Sequence, residues 1–215
     1  MMMLELFSGT ASFSKVMQNK GHQCVTIDDD PDFYPDICKD INTLDYKDIC
    51  KLINYDFSVV WASPPCQSFS VAAISRNWSA SGIPKSEKAK KGIELLRKTI
   101  EIINTIQPKY FFIENPRGMM RKIIDDIFRK QGIKEYHRET VSYCQYGDTR
   151  MKPTDIWTNL PDWKGRMCRN GLSCHVSAPR GSKTGTQGLK GAKERSVIPK
   201  KLFEEIYPFI TRTKT

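Results

Sequence analysis

Short runs of β-branched and aromatic residues alternate along the chain with polar stretches that carry apolar residues at helical spacing. The runs are LELF, CVTID, SVVWAS, YFFIEN, ETVSYC and TDIWTN. Between the third and fourth, Ile93, Leu96, Ile100 and Ile103 recur on one face of a stretch rich in Lys, Glu and Arg, and Pro108 stops it. Alternating strands and helices predict an α/β fold. SVVWA and YFFI are continuously apolar, which predicts strands covered on both faces of a mostly parallel sheet. Such sheets bind ligands beyond the carboxyl ends of their strands.

Two stretches break the alternation. Ser68 to Lys90 is small and polar, with Arg76, Trp78, Pro84 and several lysines, and reads as a long mobile loop. Trp163 to Lys201 is glycine-punctuated and basic, carrying Arg166, Arg169, Arg180, Lys183, Lys190, Lys193 and Arg195 against Glu194 as its only acid. After it, Pro199 opens a helix whose Leu202, Phe203, Ile206 and Phe209 or Ile210 pack back on the body. The organisation expected is a catalytic domain over 1–162, a basic Gly-rich segment over 163–198 and a returning helix over 199–215.

Composition narrows the class. A chain of 215 residues suits one domain, and 39% hydrophobic with 27% charged residues is ordinary for a water-soluble protein. Apolar runs such as Tyr110 to Ile113 are far too short to span a bilayer. The opening MMMLELFSG has no basic region and reads as a strand rather than a signal peptide, so a cytoplasmic protein is expected. Seven cysteines without framework spacing suit free thiols in a reducing compartment. The formal charge of +10 favours a polyanionic partner, and its concentration in the basic segment strengthens that reading.

Candidate chemistry gathers at strand ends. ELFSGTASFS is a turn of small residues between a strand and a helix, where Gly9 and Ala11 allow backbone to approach a ligand. Asp28, Asp29 and Asp30 end the second strand, where an acid can accept from ribose hydroxyls, and Asp40 follows one element later. In WASPPCQSFS, Pro64 and Pro65 fix two φ angles and bar regular pairing, so Cys66 leaves a buried strand on a rigid corner suited to a nucleophile. FFIENPRG delivers Glu114 from an apolar run toward the same crevice, where desolvation raises its pKa toward neutrality.

SPPCQSFS, with ELFSGTASFS before it and IENPRG and YGDTRMKPTDIWTN after it, resembles the DNA cytosine-5 methyltransferase family, in that family's order and over about the first three quarters of the chain. The resemblance implies a doubly wound, S-adenosylmethionine-binding domain acting on cytosine in DNA. It implies that Phe7, Ser8, Gly9 and Pro65 lie against the cofactor, Asp28 at its ribose and Asp40 at its adenine. The Pro-Cys-Gln motif falls on Pro65, Cys66 and Gln67, and the Glu-Asn-Val motif on Glu114 and Asn115 with Pro116 in place of valine. Cys66, Gln67, Glu114 and Asn115 are thus expected at the reaction. A thiolate adds to cytosine carbon 6 while an acid engages ring nitrogen 3, which makes carbon 5 nucleophilic. A target base within duplex DNA must then be flipped from the stack.

The chain also departs from the family. Ala11 stands where a second glycine is expected, and the Gln-x-Arg-x-Arg motif reads Arg150, Met151, Lys152, Pro153 and Thr154, keeping only Lys152 at the middle basic position. The large target-recognition domain is replaced by the short basic segment. Lys152, Arg180, Lys183, Lys190 and Lys193 are therefore the expected substrate contacts, and the compact form resembles phage or mobile-element enzymes, which work in the host cytoplasm. An RNA methyltransferase and a catalytically idle DNA-binding relative remain open alternatives. Cys168, Cys174 and His175 lie close in sequence, but a structural zinc wants four ligands and the sequence does not establish a fourth such as Cys144, so no metal is assigned.

Overall fold

The computed structural model describes residues 1–177 and 191–212. Seven strands form one sheet in the order β3-β2-β1-β4-β5-β7-β6. They are β1 (Met2–Leu6), β2 (Gln23–Asp28), β3 (Ile37–Cys38), β4 (Phe57–Ala62), β5 (Tyr110–Pro116), β6 (His137–Ser142) and β7 (Pro153–Thr158). From β3 to β5 every neighbouring pair is parallel, whereas β7 runs antiparallel to both β5 and β6. The six runs of the sequence pattern are all strands, and the two-residue β3 is an addition that no periodicity announces.

Helices cover both faces, which is why the central strands are apolar throughout. The helices are α1 (Ser12–Gln18), α2 (Tyr46–Ile53), α3 (Ile74–Asn77), α4 (Glu87–Ile106), α5 (Met120–Lys130), α6 (Ala192–Ser196) and α7 (Lys200–Thr211). One core layer joins Leu4, Val60, Phe111 and Ile113 to Leu96, Ile100 and Ile103 of α4 and Ile124 and Phe128 of α5. The other joins Met3, Val59, Trp61 and Phe112 to Phe13 of α1 and Leu202, Phe203, Ile206 and Ile210 of α7. Trp61 anchors this second layer, stacked on Phe13 at 5.6 Å and on Phe112 at 5.3 Å, with Phe203 edge-on at 4.9 Å. The returning helix therefore docks as its spacing predicts. Ser86 caps α4 by accepting the Ala89 N–H at 3.1 Å, and the chain leaves α4 through Gln107 in a left-handed turn before Pro108.

The stretch from Ser68 to Lys90 differs from the mobile loop expected. It ends at Ser86, where α4 begins, and it is packed. Phe69 and Trp78 are fully buried and stack at 6.0 Å, the Trp78 indole N–H donates to the Ser68 carbonyl at 2.8 Å, and the buried Asn77 amide reaches the same carbonyl at 3.3 Å. Two aromatic side chains anchor a stretch whose polar composition conceals them.

Candidate active site at the strand ends

The sheet order reverses between β1 and β4, so the chain leaves these neighbouring strands toward opposite faces and a crevice opens beyond their carboxyl ends. On the β1 side the chain turns sharply, with Phe7, Gly9 and Ala11 all left-handed at φ 56°, 47° and 53°. Ser8 is buried and donates its N–H to the Ile27 carbonyl at 3.1 Å. The Gly9 N–H donates to Asp28 Oδ2 at 2.8 Å, while Asp28 Oδ1 accepts from the Asp30 N–H at 3.0 Å, so Asp28 braces the turn as well as lining the crevice. Beneath them the buried Glu5 carboxylate accepts the N–H groups of Phe13 and Ser14 at 3.2 and 2.9 Å, capping α1. Burial drives the Glu5 pKa up to about 7, against the pull of its bonds to Ser14 and Phe13.

On the β4 side, Pro64 and Pro65 carry the chain into a 3₁₀ turn over Cys66–Ser68. That corner is held from three directions. The Asn115 amide donates to the Pro64 carbonyl at 2.8 Å. The Met119 N–H donates to the Phe69 carbonyl at 2.8 Å, and a Cβ on Gly118 would fall 2.2 Å from that oxygen. A Cβ on Gly92 of α4 would fall 2.5 Å from the Ser68 Cβ. Only glycine at those two places lets the turn after β5 and the helix α4 close on the cysteine's mount.

From β5, Glu114 enters the crevice almost fully buried and accepts a hydrogen bond from the Tyr143 hydroxyl at 2.8 Å. Burial raises its pKa, opposed first by the charge of Lys152 and then by the Tyr143 bond. Burial likewise raises the Cys66 thiol, Lys152 pulls it back and Glu114 pushes it further up. Lys152 is itself lowered by burial, with Glu114 and Cys66 working to keep it charged. Its ammonium sits 4.7 Å above the Tyr143 ring and donates to the Arg195 carbonyl at 3.1 Å, on a backbone held at φ 27°. The three groups thus tune one another: a thiol and a carboxyl group that burial pushes up, and one cation that pulls both back.

Two adjoining cavities make up the crevice. One, of about 420 Å³, is lined by Ser8, Gly9, Asp28, Asp30, Cys66, Glu114 and Lys152. The other, of about 210 Å³, has apolar walls of Phe7, Ile41, Pro65 and Leu95 with Asp29 and Asp40 at its edge. Phe7, Asp29, Pro65 and Gln67 line both. Asp40 already accepts the Asn42 N–H at 2.9 Å and faces the Lys91 ammonium at 3.6 Å.

Residues 1–131 match the family model described as C-5 cytosine-specific DNA methylase. The chain belongs to that family. Its enzymes take their methyl group from S-adenosylmethionine. Among curated relatives, the protein named "Probable DNA (cytosine-5)-methyltransferase" of Frog virus 3 is 37% identical over 181 residues, covering 81% of this chain and 78% of that one. The type II methyltransferase M.HpaII of Haemophilus parainfluenzae is 30% identical over 54% of this chain and 31% of its own length. The Dnmt2 methyltransferase of S. pombe shares the fold, with a TM-score of 0.51 at 18% identity over 76% of this chain and 51% of that one. The chain thus spans about half the length of the solved structure and a third of the bacterial enzyme.

The structure brings together most of the residues the motifs single out. Phe7, Ser8, Gly9, Asp28, Asp40, Pro65, Cys66, Gln67, Glu114 and Lys152 all line the crevice. Asn115 does not. It is wholly buried and spends its amide on Pro64, so it positions the cysteine corner instead of facing a substrate. Lys193, expected as a substrate contact, lies on α6, lines the larger cavity with Gly9 and Asp28, and holds its ammonium 5.2 Å over the Phe33 ring. Arg180, Lys183 and Lys190 lie outside the described residues. Glu5 and Tyr143, which no motif singles out, and Arg150 and Arg195, named above only within an altered motif and the basic segment, also reach the crevice or brace it. Arg150 is buried in a fork across Asp148 with further bonds to the carbonyls of Arg195 and Val197, both at 2.9 Å. Glu5 alone carried a visible signal, a carboxylate inside an otherwise apolar strand.

Proposed function

We propose that this chain transfers the methyl group of S-adenosylmethionine to carbon 5 of cytosine in DNA, through a covalent bond between Cys66 and carbon 6. The observation carrying this reading is that Cys66, Glu114 and Lys152 line one cavity that adjoins the Gly9 and Asp28 turn at the point where strand order reverses. The donor set suits the cofactor. A narrow slot walled by Phe7, Ile41, Pro65 and Leu95 accepts a flat purine, and Asp28 and Asp29 can accept from ribose hydroxyls. A rim of three successive acids favours the cationic sulfonium and ammonium and disfavours phosphates. When bound, the cofactor supplies the methyl group.

The chain's own residues do the rest. Burial keeps the resting thiol protonated, and Lys152 is the group that favours its ionisation as a base arrives. The thiolate adds to carbon 6 while Glu114 gives a proton to ring nitrogen 3, so the ring's electrons become available at carbon 5. Tyr143 holds Glu114 through its hydroxyl. Once carbon 5 is methylated, solvent water removes its proton, the carbon 6–sulfur bond breaks to expel the Cys66 thiolate, and the nitrogen 3 proton returns to Glu114, which restores the ring. Access to one face of the ring requires the target base to leave the duplex stack. The cations of the basic segment supply phosphate affinity, while Lys152 stays beside Cys66 and Glu114 to meet the substrate base.

Tritium transfer from labelled cofactor, measured in parallel on DNA, RNA and free nucleotides, tests the proposal. Transfer into DNA should fall on the order of 10⁴-fold or more in Cys66→Ala with cofactor affinity by calorimetry unchanged. Glu114→Gln should lower turnover and leave the Michaelis constant for DNA nearly unchanged. Undiminished transfer in Cys66→Ala would overturn the mechanism, and transfer into RNA alone would overturn the substrate.

A further inference from the structure

A second cluster of reactive side chains lies outside the crevice. Cys144 sits in the turn after β6, and Cys168, Cys174 and His175 come from the basic segment. One ligand atom from each falls within 4.8 Å of all the others. The Cys168 and Cys174 sulfurs are 3.3 Å apart, Cys174 and Cys144 are 3.8 Å apart, and His175 Nδ1 lies 3.7 Å from Cys168 and 3.6 Å from Cys174. With zinc–sulfur bonds of about 2.3 Å and zinc–nitrogen bonds of about 2.0 Å, the corners of a tetrahedron stand about 3.5 to 3.8 Å apart. Three of the four separations fall in or at the edge of that range, Cys168 and Cys174 are slightly closer, and all four atoms lie near enough to surround one centre.

The surroundings agree with that geometry. From Lys164 to Ser177 the only buried residues are Cys168 and His175, while the apolar Met167, Leu172 and Val176 are more than half exposed. A segment that turns a thiol and an imidazole inward and leaves its apolar side chains outside is not held by a hydrophobic core. It is nonetheless docked: the Cys168 N–H donates to Ser142 Oγ at 2.9 Å, and the Val176 N–H to the Thr149 carbonyl at 2.8 Å. The Gln145 amide donates to the Cys174 sulfur at 3.5 Å, as outer-shell groups do to ligating thiolates. His175 Nε2 is buried without a partner among the described residues, while Nδ1 faces the Cys168 and Cys174 sulfurs.

We infer that Cys144, Cys168, Cys174 and His175 bind one zinc ion in a closed, structural Cys₃His site. Three thiolates and an imidazole with no open position suit zinc and leave no place for catalysis on the metal. The site replaces a core for the basic segment and clamps it to the turn that carries Tyr143, whose hydroxyl holds Glu114. The clamp therefore reaches the active site through one residue. The sequence shows three of the ligands, and the fourth arrives through the hairpin of β6 and β7.

Elemental analysis of the full chain, purified under reducing conditions, tests the site. Wild type and the distant Cys38→Ser variant should carry roughly one zinc per chain, and Cys168→Ser or Cys174→Ser at least about tenfold less. Cobalt in place of zinc should give the visible bands of a tetrahedral thiolate complex. If the variants do not fold, stripping the wild type with a chelator should lower its melting temperature by several degrees, and zinc alone should restore it. A metal-free wild type, a Cys168–Cys174 disulfide found in its place, zinc content indifferent to the two substitutions, or a melting temperature unmoved by stripping would each overturn the inference.

Discussion

The crevice and the basic segment that borders it are held by different physics. Around the crevice, fully buried Trp61, Phe13, Phe112 and Phe203 fix the strand ends, and each such side chain contributes roughly 1.5–3 kcal/mol. From Lys164 to Ser177 no apolar side chain other than that of Cys168 is buried. There Ser142, Thr149 and the cysteine–histidine cluster do the holding, and Arg150 does the same further along for Arg195 and Val197. The crevice thus rests on a scaffold that tolerates surface change, while the basic segment hangs on a few polar contacts, each of which matters more. The segment can in this way vary without disturbing the sheet that positions the cysteine and the glutamate.

Breaking the polar side of this comparison should give the largest effect. Arg150 is nearly inaccessible and pairs with Asp148, whose pKa burial would raise but whose bonds to Arg150 bring below the ordinary range. Arg150→Met strips the guanidinium from the half-buried Asp148, which keeps only the backbone N–H of residue 150, and from the Val197 carbonyl, while the Arg195 carbonyl keeps Lys152, at a cost of about 3–5 kcal/mol. The loss should appear as faster amide exchange and proteolysis from Gly191 to Val197, with the strands still protected. Adding Asp148→Asn should recover part of it in a double-mutant cycle. Uniform loss across strands and segment alike would erase the distinction drawn here.

The crevice offers a smaller, pH-dependent counterpart. Glu5 has a folded pKa of about 7 against an ordinary value of 4.5, because burial disfavours its charge. The folded chain therefore binds this proton more tightly than the unfolded chain does. Its contribution is complete below about pH 4.5 and is lost as pH rises through about 7. The amount is on the order of 3 kcal/mol. Glu114 shifts in the same direction, so the test is the difference between wild type and Glu5→Gln, followed by denaturant unfolding from pH 5 to 8. Wild type should lose stability relative to Glu5→Gln as pH rises through about 7, and parallel curves would remove Glu5 as the source of the loss.

What the sequence reveals follows the same division. SVVWA and YFFI announce central strands because both faces are covered, and a proline pair after such a run announces the corner that carries Cys66. The two residues of β3 are too few to show a period. Met120, Ile124, Ile127 and Phe128 do show one, and α5 could have been read from them. Phe69 and Trp78 are submerged in a polar stretch, so its packing was invisible. Asn115 reads as part of a catalytic motif, but its role as a brace depends on the Pro64 carbonyl far away in sequence. Cys144 meets Cys168 only because β6 and β7 fold back as a hairpin, and Lys193 meets Phe33 only through the return of the C-terminal chain. Contacts made by tertiary return leave no local trace.

Ala11 gives the finest test, because it asks whether the cofactor turn is as relaxed as the core beneath it. It precedes α1 at φ 53° and ψ 45°, a left-handed conformation that costs a residue with a Cβ about 1–2 kcal/mol and costs glycine nothing. Its N–H donates to the Ser8 carbonyl at 2.7 Å and its carbonyl accepts the Lys15 N–H at 3.0 Å, so the backbone is fixed in that region from both sides. Ala11→Gly removes the strain but gives the unfolded chain more freedom, which takes back about 0.4–1 kcal/mol. The net gain should be no more than about 1 kcal/mol, a rise in melting temperature of roughly 2–4 °C for a chain of this size. Cofactor affinity should hold or improve slightly, since the Gly9 N–H and Asp28 keep their 2.8 Å bond. A lower melting temperature would mean that the Ala11 methyl packs usefully where the family carries glycine, and the turn would then have adapted to alanine instead of being strained by it.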